Sequence, residues 1–250
     1  NRFSFLAPIQ AHTFTPLWVS FILAINALDV KLSGSSLMTS RPGFFLALFP
    51  ASAGFWWCFE YLNRFVQNWF YSGSQYDPWT YFLLASMSFS TVLPAVLSMR
   101  RLLSRLPRIT AGFADYLSFS PPKPKAAAAA VLVLAGAGLF LIGVFPSLLF
   151  PLLWISPLLI LVSLRALTGE PHVFSGIAVG DWRLVVTAAL AALVCGFFWE
   201  MWNVFSLAKW EYAVPFVHRF QVFELPLLGY AGYLPFGLAC AAAGRLWEDL

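Results

Sequence analysis

The chain has 250 residues, of which 60% are hydrophobic and 10% are charged, and its formal net charge is +4. A soluble domain carries roughly 25% charged residues because its exterior is hydrated. The composition therefore excludes a water-soluble globular domain and predicts a polytopic integral membrane protein. The basic residues cluster in one loop, where membrane topology explains them, so the positive charge does not indicate nucleic-acid binding.

Seven apolar stretches approach the length of about 20 residues that a membrane-spanning helix needs. The predicted fold class is all-α, a polytopic membrane helix bundle with about seven transmembrane helices. Gly136, Gly138 and Gly143 in the fourth stretch predict close helix approach. Pro146, Pro151 and Pro157 break the backbone near the next junction, so we predict that the fourth and fifth helices form a tight pair joined by almost no loop. The predicted spans are 16–30, 43–62, 79–98, 126–146, 148–166, 184–204 and 225–244.

The distribution of Lys and Arg predicts the orientation of these spans. When the loops are assigned to alternating sides, eleven of the fifteen basic residues fall on one side, and six of them lie between the third and fourth spans. Cytoplasmic loops carry the excess of Lys and Arg. The prediction is a multi-pass protein of the cell inner membrane, with this basic loop and the C-terminus in the cytoplasm.

A duplicated motif predicts an internal repeat. Glu-x-x-Asn is followed by Trp-x-Tyr twice, with an offset of 140 residues for the first element and 141 for the second. We predict a single membrane domain over 1–250, built from parallel three-helix repeats at 16–98 and 148–244, with a basic loop and connecting helix at 99–147. Chance similarity between aromatic-rich helices is the alternative. The motif residues are Glu60, Asn63, Trp69 and Tyr71, then Glu200, Asn203, Trp210 and Tyr212.

The acidic residues of these motifs are the candidate functional groups, because an ionisable group at membrane depth is costly and usually functional. Glu60 is interpreted first as an interfacial anchor in an aromatic belt. For Glu200 we favour a functional role, because a second acid, Glu224, is expected nearby at the start of the seventh helix. Capping of that helix is the alternative role for Glu224. Gly229 and Gly232 then clear one helix face for another helix or a flat ligand.

The predicted site therefore has two catalytic acids and a surrounding binding set. Several chemistries are excluded by missing residues. No histidine lies in a predicted span to bind haem, no lysine lies mid-span to form a retinal Schiff base, and the serine-hydrolase, Walker and zinc-protease motifs are absent. His218 with Glu211 and Glu224 is a weak metal-binding pattern, so no metal and no cofactor is predicted. The catalytic candidates are Glu200 and Glu224, and the ligand-binding candidates are Glu60, Asn63, Trp199, Asn203, Trp210, Tyr212, Gly229 and Gly232.

The order Trp199-Glu200, then Trp210-x-Tyr212, then an acidic, proline-containing opening of the next helix resembles the membrane-embedded lycopene cyclase domain family. The resemblance covers about half of the chain and implies tandem three-helix repeats that act on a carotenoid. Glu200 matches the acid of the Trp-acid pair, and Glu224 stands near the P-x-E-E motif of that family. The chain has no carboxylate after Pro226, so the P-x-E-E motif itself is not matched.

Three functions follow as hypotheses. The first is binding or processing of a hydrophobic, isoprenoid- or lipid-like molecule at a non-cytoplasmic aromatic and acidic pocket, with one carboxylic acid as a general acid if the protein is an enzyme. The second is a non-catalytic structural or assembly subunit that contacts membrane protein partners through the fourth helix and its aromatic faces. The third is a small-molecule transporter, which a water-filled central cavity would favour.

Overall fold

Helices form most of the chain, as the apolar stretches predict. The computed structural model describes residues 12–73, 75–217 and 219–248. Two short antiparallel ribbons accompany the helices, one between Trp69–Ser72 and Lys209–Tyr212 and one between Gln221–Val222 and Leu225–Pro226. The helices are α1 (Phe14–Ser33), α2 (Leu37–Ser40), α3 (Pro42–Val66), α4 (Pro78–Phe89), α5 (Val92–Ser104), α6 (Pro107–Thr110), α7 (Pro124–Leu141), α8 (Pro146–Leu149), α9 (Leu152–Thr168), α10 (Arg183–Asn203) and α11 (Tyr233–Glu248). The strands are β1 (Trp69–Ser72), β2 (Lys209–Tyr212), β3 (Gln221–Val222) and β4 (Leu225–Pro226).

Six helical segments of the described residues are long and apolar enough to cross a membrane. They are α1, α3, the consecutive α4 and α5, α7, α10, and α11 with the 3-10 turn before it. Helix α9 is also apolar but has 17 residues. The all-α bundle is confirmed, and its six apolar segments make the chain a multi-pass membrane protein. The total of seven crossings stays a prediction.

The third predicted span is interrupted between α4 and α5. Asp77 caps the start of α4 by accepting hydrogen bonds from the backbone N–H groups of Trp79 and Thr80, both at 3.1 Å. At the interruption, the buried Ser52 hydroxyl of α3 donates to the carbonyl of Phe89 at 2.5 Å and accepts from the N–H of Leu93 at 3.0 Å. Ser52 thus satisfies backbone groups that the broken helix leaves free.

Small residues allow the central helices to approach closely. Helix α10 packs against both α5 and α11. Gly237 of α11 lies directly on the Ala188 carbonyl of α10, and Gly244 lies on the side chain of Leu97 in α5, so a Cβ atom at either glycine would overlap its neighbour. Helices α5, α10 and α11 therefore form the centre of the bundle. Their backbones lie close together there because small residues leave little side-chain volume between them.

The predicted tight pair is formed by α7 and α9, which pack against each other. The expectation that almost no loop joins them was wrong, because residues 142–151, which include α8, connect the two helices. Gly138 faces Leu152, where an added Cβ would stand 2.6 Å from the leucine Cδ1, and Gly143 faces Phe65. The expectation for Gly136 was wrong, because nothing lies within 4 Å of the position that its Cβ would take. The fourth span also ends at Leu141 rather than at residue 146.

The end of the bundle that holds the C-terminus of α5 is joined by ion pairs. The buried Asp29 carboxylate of α1 accepts from Arg101 Nε at 3.0 Å and lies 3.9 Å from Arg105 Nε. Arg41 binds Glu248 at 3.1 Å and so connects the start of α3 to the end of α11. Basic residues of the predicted cytoplasmic loop thus fasten α1 to α5.

Candidate functional site

The two Trp-x-Tyr motifs meet in one antiparallel ribbon. Strand β1 follows α3, strand β2 follows α10, and the register places Trp69 opposite Tyr212 and Tyr71 opposite Trp210. Trp210 and Tyr212 are the residues 141 positions after Trp69 and Tyr71, so each pair joins the tryptophan of one motif to the tyrosine of the other. The two strands of the ribbon are therefore related by a local two-fold axis. It brings the C-terminal ends of α3 and α10 together at one end of the bundle. The repeat of whole three-helix units stays a prediction.

The asparagine of each Glu-x-x-Asn motif fixes the strand that follows it. Asn203 donates from Nδ2 to the carbonyl of Trp210 at 2.7 Å, and its Oδ1 accepts from the N–H of Trp210 at 2.9 Å. Asn63 donates to the carbonyl of Trp69 at 2.7 Å, and its Oδ1 accepts from the N–H of Asn68 at 2.8 Å and of Trp69 at 3.4 Å. Each side-chain amide therefore donates to and accepts from backbone groups, as the backbone of a neighbouring strand would.

Glu200 lies one helical turn before Asn203 and is completely buried, with 0% of its surface exposed. Its Oε1 accepts hydrogen bonds from the hydroxyls of Tyr212 at 2.6 Å and Tyr233 at 2.7 Å. Trp210 in turn donates from Nε1 to the Tyr212 hydroxyl at 2.8 Å. Glu200 Oε2 has no hydrogen-bond partner within the described part of the chain. Burial, together with the nearby Glu200 carboxyl, raises the pKa of Tyr212 well above its usual value, so this phenol remains a donor.

Glu60 has the equivalent place at the end of α3 but is partly exposed. Its Oε1 accepts three hydrogen bonds, from Trp56 Nε1 at 2.9 Å, Trp69 Nε1 at 3.0 Å and the Tyr71 hydroxyl at 2.6 Å. Tyrosine donation to the carboxyl is thus common to both sites, at the same distance of 2.6 Å. The remaining donors differ.

A cavity of about 980 Å³ lies beside the two carboxyl sites. Its wall combines donors from both sites with aromatic rings of α9 and α11. The Trp199 ring of α10 stacks on Tyr233 with centroids 6.0 Å apart and an angle of 22° between the planes. Such a wall suits an apolar ligand with a few polar contacts. The aromatic side chains of the wall include Trp56, Trp69, Tyr71, Trp154, Trp199, Trp210, Tyr212, Tyr233 and Phe236.

The predicted site residues divide into a lining set and a supporting set. Those that line the cavity are Trp199, Trp210, Tyr212, Gly229 and Gly232. Glu60, Asn63, Glu200 and Asn203 hold the lining side chains or the strands that carry them. Glu60 and Glu200 are therefore joined to the cavity wall by hydrogen bonds from tyrosine hydroxyls that line it.

Glu224 is placed differently from the expectation. Its carboxylate binds Lys209 Nζ at 3.0 Å, and this bond raises the pKa of Lys209. The expectation that Glu224 opens the last helix was wrong, because Pro226 is extended with ψ 143°, a 3-10 turn follows it, and α11 begins at Tyr233. The hydrogen-bond partner of Glu224 is thus a lysine, whereas the hydrogen-bond partners of Glu200 are two tyrosines. The catalytic role of Glu224 stays a prediction.

Sequence reasoning missed the side chains that complete both sites. Trp56 precedes Glu60 by four residues, and this helical spacing was a usable signal because such residues share a face. Tyr233 lies 33 positions from Glu200 and is joined to it by tertiary packing, so no local pattern reveals it. Trp154 of α9 contributes through its ring, which lies 5.4 Å from that of Trp69.

The described residues contain no group of three or more His, Cys, Asp or Glu side chains that could hold a metal ion. His218, which belonged to the weak metal-binding pattern, lies outside the described residues. The groups that the described residues bring together at the site are carboxyl, phenol and indole groups.

Searches against protein-family models, curated proteins and solved structures find no match to this chain. The resemblance to the lycopene cyclase domain family stays a prediction. What the fold and the site define is a class, a multi-pass helical membrane protein with two tyrosine-bound carboxyl groups beside an aromatic cavity.

Proposed function

We propose that this protein binds a hydrophobic, isoprenoid- or lipid-like molecule in the aromatic cavity and acts on it with the Glu200 site. The observation that carries the proposal is the arrangement of Tyr212 and Tyr233. Both line the cavity, and both donate to a carboxyl group that is buried behind them. The cavity supplies affinity, and the tyrosine-carboxyl group supplies the polar contact.

The size of the cavity supports a ligand of considerable length or bulk. Small-molecule sites have volumes of about 300–1,000 Å³, and a cavity of about 980 Å³ is at the upper end of that range. Its aromatic wall favours an apolar ligand, because burial of apolar surface contributes about 25 cal/mol per Å². A polar metabolite would leave its own hydrogen-bonding groups without partners against such a wall.

The Glu200 site supports proton transfer as the chemistry, if the protein is an enzyme. A carboxyl group within hydrogen-bond distance of hydroxyls can give or take a proton at a bound molecule. Burying an ionisable group in a membrane protein is unfavourable, so buried carboxyl groups are rare there and usually have a function. We further propose that the site faces the non-cytoplasmic side of the inner membrane, since the basic loop belongs to the opposite end.

The test uses all-trans-retinol, a conjugated isoprenoid alcohol, as the probe. Its absorption overlaps tryptophan emission, and five tryptophans line the cavity, so binding to the purified protein in mild detergent should quench their fluorescence by energy transfer. The five are Trp56, Trp69, Trp154, Trp199 and Trp210.

The cavity is blocked with Gly232→Leu. Gly232 lines the cavity, and its Cβ position has no atom within 4 Å, so a leucine side chain has open space to enter. The matched control is Gly136→Leu, because Gly136 of α7 has equally free surroundings and does not belong to the cavity wall. We expect retinol affinity to fall at least tenfold in Gly232→Leu and to stay unchanged in the control. Equal affinity in both variants and the wild type would refute the proposal.

A further inference from the structure

The two carboxyl sites share a framework but have different donors. Trp56 stands four residues before Glu60 and donates to it. The residue four positions before Glu200 is Gly196. The second site therefore has no side chain where the first has an indole.

Tyr233 occupies the space that Gly196 leaves. A Cβ atom at Gly196 would overlap the Tyr233 ring, so the glycine is required for this placement. The ring stacks on Trp199, and its hydroxyl donates to Glu200 Oε1 at 2.7 Å. At the offset of 141 residues the first half has Val92, which carries no polar side-chain group. The Tyr233 donor thus belongs to the second site alone.

The exchange of an indole for a phenol changes what the site can do. An indole N–H only donates a hydrogen bond, whereas a phenol hydroxyl donates and accepts. Two of the three donors to Glu60 are the indoles of Trp56 and Trp69, which hold a carboxylate in place. Both donors to Glu200 are phenols. A phenol can take a proton from the carboxyl group while it gives its own to a ligand.

We propose that Tyr233 is the cavity-facing hydroxyl through which a proton passes between the bound molecule and Glu200, and that the Glu60 site is a fixed anchor. The proposal rests on the proposed function, namely that the cavity binds a hydrophobic molecule. In the transfer step, the Tyr233 O–H bond breaks as Glu200 Oε1, which accepts the Tyr233 hydrogen bond, gains that proton, and the phenol oxygen takes a proton from the ligand. The ligand loses one proton, the Glu200 carboxylate becomes a carboxylic acid, and Tyr233 is unchanged; the reverse step returns the proton to the ligand.

The fully enclosed Oε2 atom of Glu200 supports this role for Tyr233. It has no hydrogen-bond partner in the described ranges, and Glu200 as a whole has no exposed surface. The ligand therefore meets the tyrosine hydroxyls rather than the carboxyl group itself. Of the two phenols, Tyr212 is already tied by the indole of Trp210, which donates to its oxygen. No indole of the described residues donates to the Tyr233 oxygen, so this oxygen can accept a hydrogen bond from a ligand.

The experiment is infrared difference spectroscopy of the detergent-solubilised protein with and without all-trans-retinol. The carboxyl band of Glu200 is identified by its absence in Glu200→Gln. In the wild type, we expect retinol to shift this band, because contact with Tyr233 alters the hydrogen bond to Oε1. In Tyr233→Phe, which keeps the ring, we expect retinol to bind within fivefold of the wild-type affinity and the shift to be lost.

The control is Tyr61→Phe, which removes a phenol hydroxyl from an exposed tyrosine of α3 outside the cavity wall and should leave the Glu200 shift intact. Gly196→Ala should displace the Tyr233 ring and reproduce Tyr233→Phe. A shift that persists in Tyr233→Phe overturns the role of Tyr233 while leaving the proposed function in place. Failure of the wild type to bind retinol overturns both.

Discussion

The asparagines that hold the β1–β2 ribbon allow a quantitative test of the site's framework. Asn203 is the last residue of α10, is fully buried, and makes two hydrogen bonds to the peptide groups of Trp210, at 2.7 and 2.9 Å. Replacing it with alanine removes both bonds without adding volume. The N–H and C=O of Trp210 are then left without these partners in the protein interior.

The expected loss follows from the cost of leaving those groups unpaired. A typical hydrogen bond contributes about 0.5–1.5 kcal/mol, and an orphaned buried partner costs about 1–3 kcal/mol. Because two groups are affected and Trp210 is only half-buried, we expect Asn203→Ala to lower the free energy of unfolding by about 2–4 kcal/mol. The measurement is a denaturant titration in mixed micelles, followed by tryptophan fluorescence.

Asn63→Ala is the matched comparison, since Asn63 makes the equivalent bond to the carbonyl of Trp69 at 2.7 Å. We expect a similar loss. Because both asparagines support one ribbon, the double variant should lose less than the sum of the two single losses. A loss below about 0.5 kcal/mol in Asn203→Ala would show that its amide does not hold the ribbon, and additive losses would show that the two asparagines do not support one shared unit.

Three further predictions concern single charged or ionisable groups. Glu200→Gln should reduce any turnover of a hydrophobic substrate at least about 100-fold while the melting temperature changes little, as product analysis and thermal melting will show. Asp29→Asn should cost about 3 kcal/mol in unfolding titrations, because it leaves Arg101 without its buried partner. Since the raised pKa keeps folded Tyr212 protonated while an unfolded tyrosine ionises near pH 10, stability should fall as pH rises beyond 10, and Tyr212 should contribute at most about 1.4 kcal/mol per pH unit to that fall. Tyr212→Phe should reduce the slope by this contribution and leave that of other tyrosines with a raised pKa, such as Tyr71.

The sequence predicted the helices because apolar length is a strong signal in a membrane protein. Each of the seven predicted stretches overlaps an apolar helix, although the third is divided into α4 and α5, the last helix begins at Tyr233, and six segments have the length to cross a membrane. The duplicated motif also located Glu200, Asn203, Trp210 and Tyr212, which are hydrogen-bonded to one another. These residues are close in the chain, so helical spacing and a short connection bring them together.

The remaining features depend on contacts between distant segments. The β1–β2 ribbon has four residues per strand, too few for alternation to be distinguished from an aromatic-rich interface. The position of Glu224 was mistaken because Pro226 suits both the first turn of a helix and an extended segment, and the ribbon with β3 selects the second. The contact between Tyr233 and Glu200 depends on the packing of α11 against Gly196, which the sequence alone does not indicate.

The contrast between the two carboxyl sites is the strongest argument that Glu200 is more than an anchor. Anchoring a strand end needs donors that stay in place, and Glu60 has them in Trp56 and Trp69. At the related position in the second half, an indole is missing, a glycine admits Tyr233, and the carboxyl group is completely buried. Burial makes the carboxyl group costly to keep, and phenols make its proton transferable. A purely structural role needs neither change, whereas the proposed proton exchange with a molecule in the adjoining cavity would use both.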